Sequence, residues 1–300
     1  MVVDRSWEIA FDALASRQVR AARMVVAAQG LDRDAVFVLD ADSDEFVNVP
    51  GLPARLSRET VSLSSDGTQL VFLARQDDGA GPKRVVLYTL ATAARQEFAS
   101  DDFMRAALSP DGSRIAVLAD LSNGPGIPGV GDEIAGIALI ETATGARQLL
   151  WSAEGYWEEA SVSWSPDGHL LAATYLTLDD VLTTVVLDLS GKTIGVYEDR
   201  VALPGPHSVW MSDRELIVYA EPDDESPLIR IDVPTRSEHR FTRRNFSAYL
   251  AIAGGRVVRP GSSPERFVTT DLNDADERPF LNFSPAVSID ALDMAPSAVR

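Results

Sequence analysis

Leu108-Ser109-Pro110-Asp111-Gly112 decides the fold, because it returns along the chain in the same hydrophobic setting. Other copies read Leu63-Ser64-Ser65-Asp66-Gly67 and Trp164-Ser165-Pro166-Asp167-Gly168, and a decayed one follows at Met211-Ser212-Asp213-Arg214. Asp66 to Asp111 is 45 residues, Asp111 to Asp167 is 56, and Asp167 to Asp213 is 46. Asp-Gly between two apolar runs signals a hairpin: glycine accepts the positive φ of a tight turn, and the aspartate side chain bonds nearby main-chain amides. A repeat of this period, built only from short strands, describes a circular array of small sheets.

Each repeat has four parts. A short run such as Ala160-Ser161-Val162-Ser163-Trp164 precedes the turn, and a second such as Arg114-Ile115-Ala116-Val117-Leu118-Ala119 follows it. The third run is the most β-branched, as in Thr184-Val185-Val186-Leu187-Asp188-Leu189, and a polar turn leads from it to a weaker fourth. That second turn also recurs: Ala91-Thr92-Ala93-Ala94-Arg95-Gln96 and Ala143-Thr144-Gly145-Ala146-Arg147-Gln148 lie 52 residues apart. A four-stranded unit with two apolar faces buries both only by stacking on neighbours in a ring. Five full copies span 58–100, 102–152, 157–200, 207–244 and 246–284, the last with Ala253-Gly254-Gly255 in place of Asp-Gly.

A sixth copy is divided between the chain ends. Residues 24–49 supply three of its strands, and Ala286-Val287-Ser288-Ile289-Asp290 supplies the first. The expectation is an all-β, six-bladed β-propeller of four-stranded antiparallel blades over residues 24–300, closed by strands from both termini. Residues 1–23 read as a helical segment: Trp7, Phe11 and Leu14 share a helical face, and Arg17, Arg20 and Arg23 gather towards its end, where a helix favours cations.

The Leu/Trp-Ser-Pro-Asp-Gly hairpin resembles the repeats of TolB-like, PD40-type six-bladed propellers, over roughly residues 24–292. WD40 repeats share the Asp-Gly turn but end their third strands in Trp-Asp, which is missing here. The resemblance implies a fold and no activity. TolB itself adds an export signal and an N-terminal α/β domain, and this sequence shows neither.

The 300 residues suffice for one propeller and fall short of a propeller plus a catalytic domain. With no cysteine there is neither disulfide nor thiolate chemistry. Met1-Val2-Val3-Asp4-Arg5-Ser6-Trp7-Glu8 does not resemble a signal peptide, and no apolar run approaches a membrane span, so a cytoplasmic monomer is expected. A net charge of -18 argues against nucleic acid and against anionic membranes, which need basic patches. Solubility alone also accounts for such a charge.

Strand order places the Asp-Gly turns and the third-to-fourth-strand turns on one side of the ring. The other side carries the loops between strands two and three and the linkers between blades. The irregular material collects there: the long loop Asp120 through Glu133, with its Gly124-Pro125-Gly126-Ile127-Pro128-Gly129 core, and most of the paired acids. The linker Trp151-Ser152-Ala153-Glu154-Gly155-Tyr156-Trp157-Glu158-Glu159 adds three aromatics to those acids. Aromatic faces beside carboxylates suit a cationic or Arg-rich ligand. The alternative is that the rings cover blade edges and the carboxylates are merely solvated. Arg58, Glu59, Arg105, Glu158, Glu159, His207 and Tyr249 begin first strands, at the mouth of the channel.

Catalytic patterns are thin. No Gly-x-Ser-x-Gly, HExxH or CxxC occurs. Asp40-Ala41-Asp42-Ser43-Asp44-Glu45 begins like a calcium loop but lacks its glycine and its final acid, which makes it a polar turn. No cofactor is expected; a divalent cation such as calcium has only weak support. Two functions stand against each other. One is a non-enzymatic binding or scaffold propeller that docks a protein, peptide or cationic ligand on the acidic loop face through Trp151, Tyr156, Trp157, Glu158 and Glu159. The other is a hydrolase or lyase at the channel mouth, with Glu158 or Glu159 and His207 as acid and base. The fold cannot choose between them.

Overall fold

A computed structural model describes residues 5–29, 34–52, 61–75, 83–99, 103–121, 134–157, 161–202, 209–220, 228–241, 251–253, 255–263, 265–273, 275–284 and 287–294. They form a six-bladed β-propeller. After an N-terminal strand β1 (Trp7–Ala10), blade I holds β2 (Ala22–Gln29), β3 (Asp34–Asp40) and β4 (Phe46–Asn48). Blade II is β5 (Val61–Leu63), β6 (Gln69–Arg75), β7 (Lys83–Thr89) and β8 (Ala94–Ala99). Blade III is β9 (Phe103–Leu108), β10 (Arg114–Asp120), β11 (Ile134–Glu141) and β12 (Arg147–Glu154). Blade IV is β13 (Val162–Trp164), β14 (Leu170–Leu176), β15 (Leu182–Asp188) and β16 (Thr193–Glu198). Blade V is β17 (Arg200–Ala202), β18 (Glu215–Ala220), β19 (Leu228–Asp232) and β20 (Ser237–Arg240). Blade VI is β21 (Ala251–Ala253), β22 (Arg256–Pro260), β23 (Arg266–Asp271) and β24 (Arg278–Ser284). The last strand, β25 (Ser288–Met294), returns to blade I and pairs antiparallel with β2, from Met24 opposite Met294 to Gln29 opposite Ser288. The ring is therefore closed by strands from the two ends of the chain, which removes the open edge of an unclosed array.

The Asp-Gly hairpins repeat atom for atom. Ser64, Ser109 and Ser165 donate their hydroxyls to Asp66, Asp111 and Asp167 at 2.7, 2.6 and 2.6 Å. Each aspartate also accepts the amide two residues on, from Thr68, Ser113 and His169, at 3.0 Å in every case. Gly67, Gly112 and Gly168 stand at φ of +71, +71 and +73°, the left-handed region that a side chain disfavours. Burial pushes these carboxyls up, but the serine hydroxyl and main-chain bonds outweigh it and leave all three below their ordinary value.

The core lies in the seams. Val25, Val38, Leu63, Phe72 and Tyr88 fill the space between blades I and II. Val71, Val85, Ile115 and Val117 join II to III, and Ile137, Trp164, Leu171 and Val185 join III to IV. Alternate residues of every inner strand thus pack against the next blade, as the period of a strand buried on both faces requires.

The N-terminal helix expected from the Trp7, Phe11, Leu14 spacing is not formed; no α-helix occurs among the described residues. Trp7–Ala10 is instead a fifth strand of blade VI, parallel to β24 with Trp7 opposite Leu281 and Ala10 opposite Ser284. A single 3-10 turn, Phe11–Ala13, follows it. The physical reason is tertiary. Phe11 is fully buried among Phe37 and Phe283, and Trp7 meets Phe46 and Phe280 edge-on, contacts that an extended segment reaches and a helix would not span.

Candidate functional site

The strands alternate direction within each blade, so β10–β11 and β14–β15 connect on the face opposite the Asp-Gly turns, together with the linker from blade III to blade IV. That linker is pinned from both sides. Tyr156 exchanges main-chain bonds with Leu176 at the end of β14, at 3.0 and 2.9 Å. The indole of Trp157 donates to the Ala119 carbonyl in β10 at 2.9 Å. Gly155, at φ +135°, lets the chain pass: a Cβ there would stand 2.3 Å from the Leu176 carbonyl oxygen.

Around this crossing three rings meet. Tyr175 lies between Trp151 of β12, at 5.2 Å between centroids and 68° between planes, and Trp157, at 6.3 Å and 73°. Trp157 is only 8% exposed and forms the floor. Met104, Trp151 and Tyr175 are partly exposed against the same III–IV core and form the rim. The Tyr156 hydroxyl donates to the Asp180 carboxylate at 3.0 Å. Asp180 is held at φ +59° in the tight Thr177–Val181 turn, where its amide and the Thr177 and Val181 main chains bond one another. Burial pushes the Tyr175 phenol above its ordinary value, and the nearby Glu198 carboxylate pushes it further. The result is an aromatic patch with the Glu198 carboxylate near Tyr175 and Asp180 held by Tyr156. Mutually edge-on rings present their negative faces in different directions, and carboxylates beside them add to the attraction for a cation.

Of the residues singled out from sequence, Trp151, Tyr156 and Trp157 come together here. Arg105 lies in β9, its guanidinium donating to the Met104 carbonyl at 3.2 Å. Arg58, Glu59, Glu158, Glu159, His207 and Tyr249 fall outside the described residues, as does loop 122–133. Tyr175 and Met104 were not singled out from sequence. Tyr175 sits where β14 ends beside Thr177-Leu178-Asp179-Asp180, and an aromatic at a strand end on the loop side was the available signal. Among the described residues, no three His, Cys, Asp or Glu side chains are grouped to hold a metal ion.

Fold and site together define a six-bladed propeller with an aromatic patch on its loop face. No protein-family model matches the sequence, and no curated protein matches it. Among solved structures, TolB from Acinetobacter baumannii aligns at a TM-score of 0.59 and 12% identity, over 84% of this chain and 62% of that one. The chain thus spans less than two thirds of that protein. A putative TolB from Agrobacterium tumefaciens aligns at 0.52 and 16%, over 90% and 99% of the two chains. The tricorn protease aligns at 0.57 and 12%, over 91% of this chain and 30% of that one. At such identities the likeness is one of fold: this is a TolB-like propeller in architecture.

Proposed function

We propose that this propeller is a non-enzymatic binding module whose loop face, at the seam of blades III and IV, docks a protein or peptide segment carrying a basic side chain. The observation that supports it is the patch itself: Trp151 and Tyr175 partly exposed over the buried Trp157, with Glu198 near Tyr175 and Asp180 held by Tyr156 on the same linker. Rigid strands and a doubly pinned linker hold the rings, so little side-chain freedom is lost on binding. An arginine stacked on Trp151 or Tyr175 would gain about 0.5–2 kcal/mol, the range for cation–π contacts.

The test uses intrinsic tryptophan fluorescence to titrate the full chain with short arginine-containing peptides and with acidic controls. Basic peptides should quench the signal and acidic ones should not. Trp151→Ala should weaken binding about tenfold or more, as loss of an aromatic anchor does. Asp180→Lys should also weaken it and slow association, with the effect fading as salt rises. Equal affinity for both peptide classes, or binding indifferent to Trp151→Ala, would overturn the reading.

A further inference from the structure

The ring is fastened on both sides of one seam. On the inside, β25 pairs with β2 along its length. On the outside, residues 5–20 run as a strap across three blades. β1 pairs with β24 of blade VI. Asn48, at the end of β4 in blade I, donates its amide to Ala15 at 2.9 Å and accepts that of Arg17 at 3.0 Å. The Gln18 side chain donates to the Leu90 carbonyl in blade II.

We propose that this strap is a displaceable outer clasp, which lifts from the seam as a unit while β25 and the blades stay formed. The two fasteners differ in kind. β25 is a member of its blade, whereas β1 is added to a sheet that already has four strands, so its removal leaves every blade complete. Between β1 and β2 the chain is tied by single bonds rather than a ladder.

The strap's outer contacts are ionic and, apart from the buried Asp40 carboxylate, face water. Arg17 pairs with Asp40 at 3.0 Å and with Glu45 at 3.3 Å, and Arg20 with Asp42 at 3.0 Å. Arg5 pairs with Asp44, which Arg23 of β2 also reaches at 2.9 Å. The Arg20 and Asp42 side chains are 77% and 57% exposed, so salt screens them. The inner contacts are salt-independent: Trp7, Ile9, Phe11 and Leu14 on the VI–I core and Val19 on the I–II core. Few main-chain bonds and exposed ion pairs lower the cost of opening such a segment, while the burial of Ile9, Phe11 and Val19 sets that cost. Lifting it uncovers Phe46, Phe280 and the outer edge of β24, a groove fitted to an extended segment of alternating aromatic and aliphatic residues followed by arginines.

Native-state hydrogen exchange of the full chain, at low salt and at about 1 M, tests this. The amides of the strap and of Asn48 should exchange together, well before those of β25, β10 and β14. Their opening should rise about tenfold at high salt, the size expected when several weak surface pairs are screened together. Arg20→Ala, which touches no buried group, should raise opening at low salt and blunt the salt response. Strap amides that exchange only with β25, or a rate indifferent to salt and to Arg20→Ala, would overturn the proposal.

Discussion

Asp293, one residue from the end of β25, accepts a 2.6 Å hydrogen bond from the main-chain N–H of Leu63, in the first strand of the next blade round the ring. The same relation joins the following pair of blades, where the Ser62 hydroxyl accepts the Leu108 amide at 2.9 Å. One blade further the donor is an indole: Trp164 reaches the Ala107 carbonyl at 3.0 Å, and Trp210 reaches that of Ser163 at 3.4 Å. The innermost strand of a blade has no ladder partner on its channel side, so its main-chain groups need partners from elsewhere. Side chains of the neighbouring blade supply these.

Asp293 is fully buried, and burial pushes its carboxyl well above the ordinary 3.8; the amides of Leu63 and Met294 offset only part of this. Raised in the folded state, the group contributes stability that is full below 3.8 and is lost as pH climbs through the folded value. Asn at this position keeps an acceptor for Leu63 and has no proton to lose. Urea melts of wild type and Asp293→Asn at about pH 4.5 and about pH 7.5 should therefore show the variant gaining on wild type at the higher pH. A constant difference between the two would count against this assignment.

The turn aspartates carry the opposite sign. Asp111 and Asp167 are held below 3.8, so their stabilisation is present above that value and disappears as pH falls through the folded one. Asp111→Ala and Asp167→Ala should each cost about 1 kcal/mol at neutral pH, the scale of one net hydrogen bond, and almost nothing in strong acid. Thermal melts across that range will read it. Peptide binding should be untouched, since these turns lie on the far face of the ring.

Two glycines with the same φ should respond differently to alanine. A Cβ on Gly67 would stand 1.9 Å from the Ala22 carbonyl oxygen, which is main chain and cannot swing away. On Gly168 the nearest atom is Pro110 Cδ at 3.4 Å. Gly168→Ala should cost about 1–2 kcal/mol, the left-handed strain alone. Gly67→Ala adds a clash at the contact where Ala22 donates to Gly67 at 2.8 Å, and should lose several kcal/mol or fail to fold. Similar denaturation midpoints for the two would show that the blade I–II contact yields more easily than the geometry implies.

Trp164→Phe keeps most of the ring and removes the indole N–H, leaving the buried Ala107 carbonyl without that donor. A loss of about 1–3 kcal/mol is expected, the cost of an unsatisfied buried group. Calorimetry against Trp151→Phe, whose ring is partly exposed, supplies the control.

The ring and its closure were legible because they rest on local signals: an Asp-Gly turn every fifty or so residues, and complementary half-repeats at the ends. The strap was not. Trp7, Phe11 and Leu14 satisfy helical spacing, yet Trp7, Ile9 and Phe11 equally satisfy the two-residue period of a strand, and only the aromatic residues of blades I and VI decide between them. Likewise Arg17, Arg20 and Arg23, which looked like a helix terminus, are partners of the acidic turn Asp40–Glu45. Of the patch, Trp151, Tyr156 and Trp157 were visible as one aromatic linker. Tyr175 belongs to it through the packing of another blade, which no linear pattern encodes.

Closure through β25 gives every blade two neighbours, as in a circular chain of coupled units with no end to fray. In a linear array the terminal repeat can melt at the cost of one interface; here the first blade to melt must break two. Once it has, its neighbours become ends and each later loss breaks only one. Such a circuit resists the first failure most and then gives way together, and parting β25 from β2 would turn it into a linear array with two free ends.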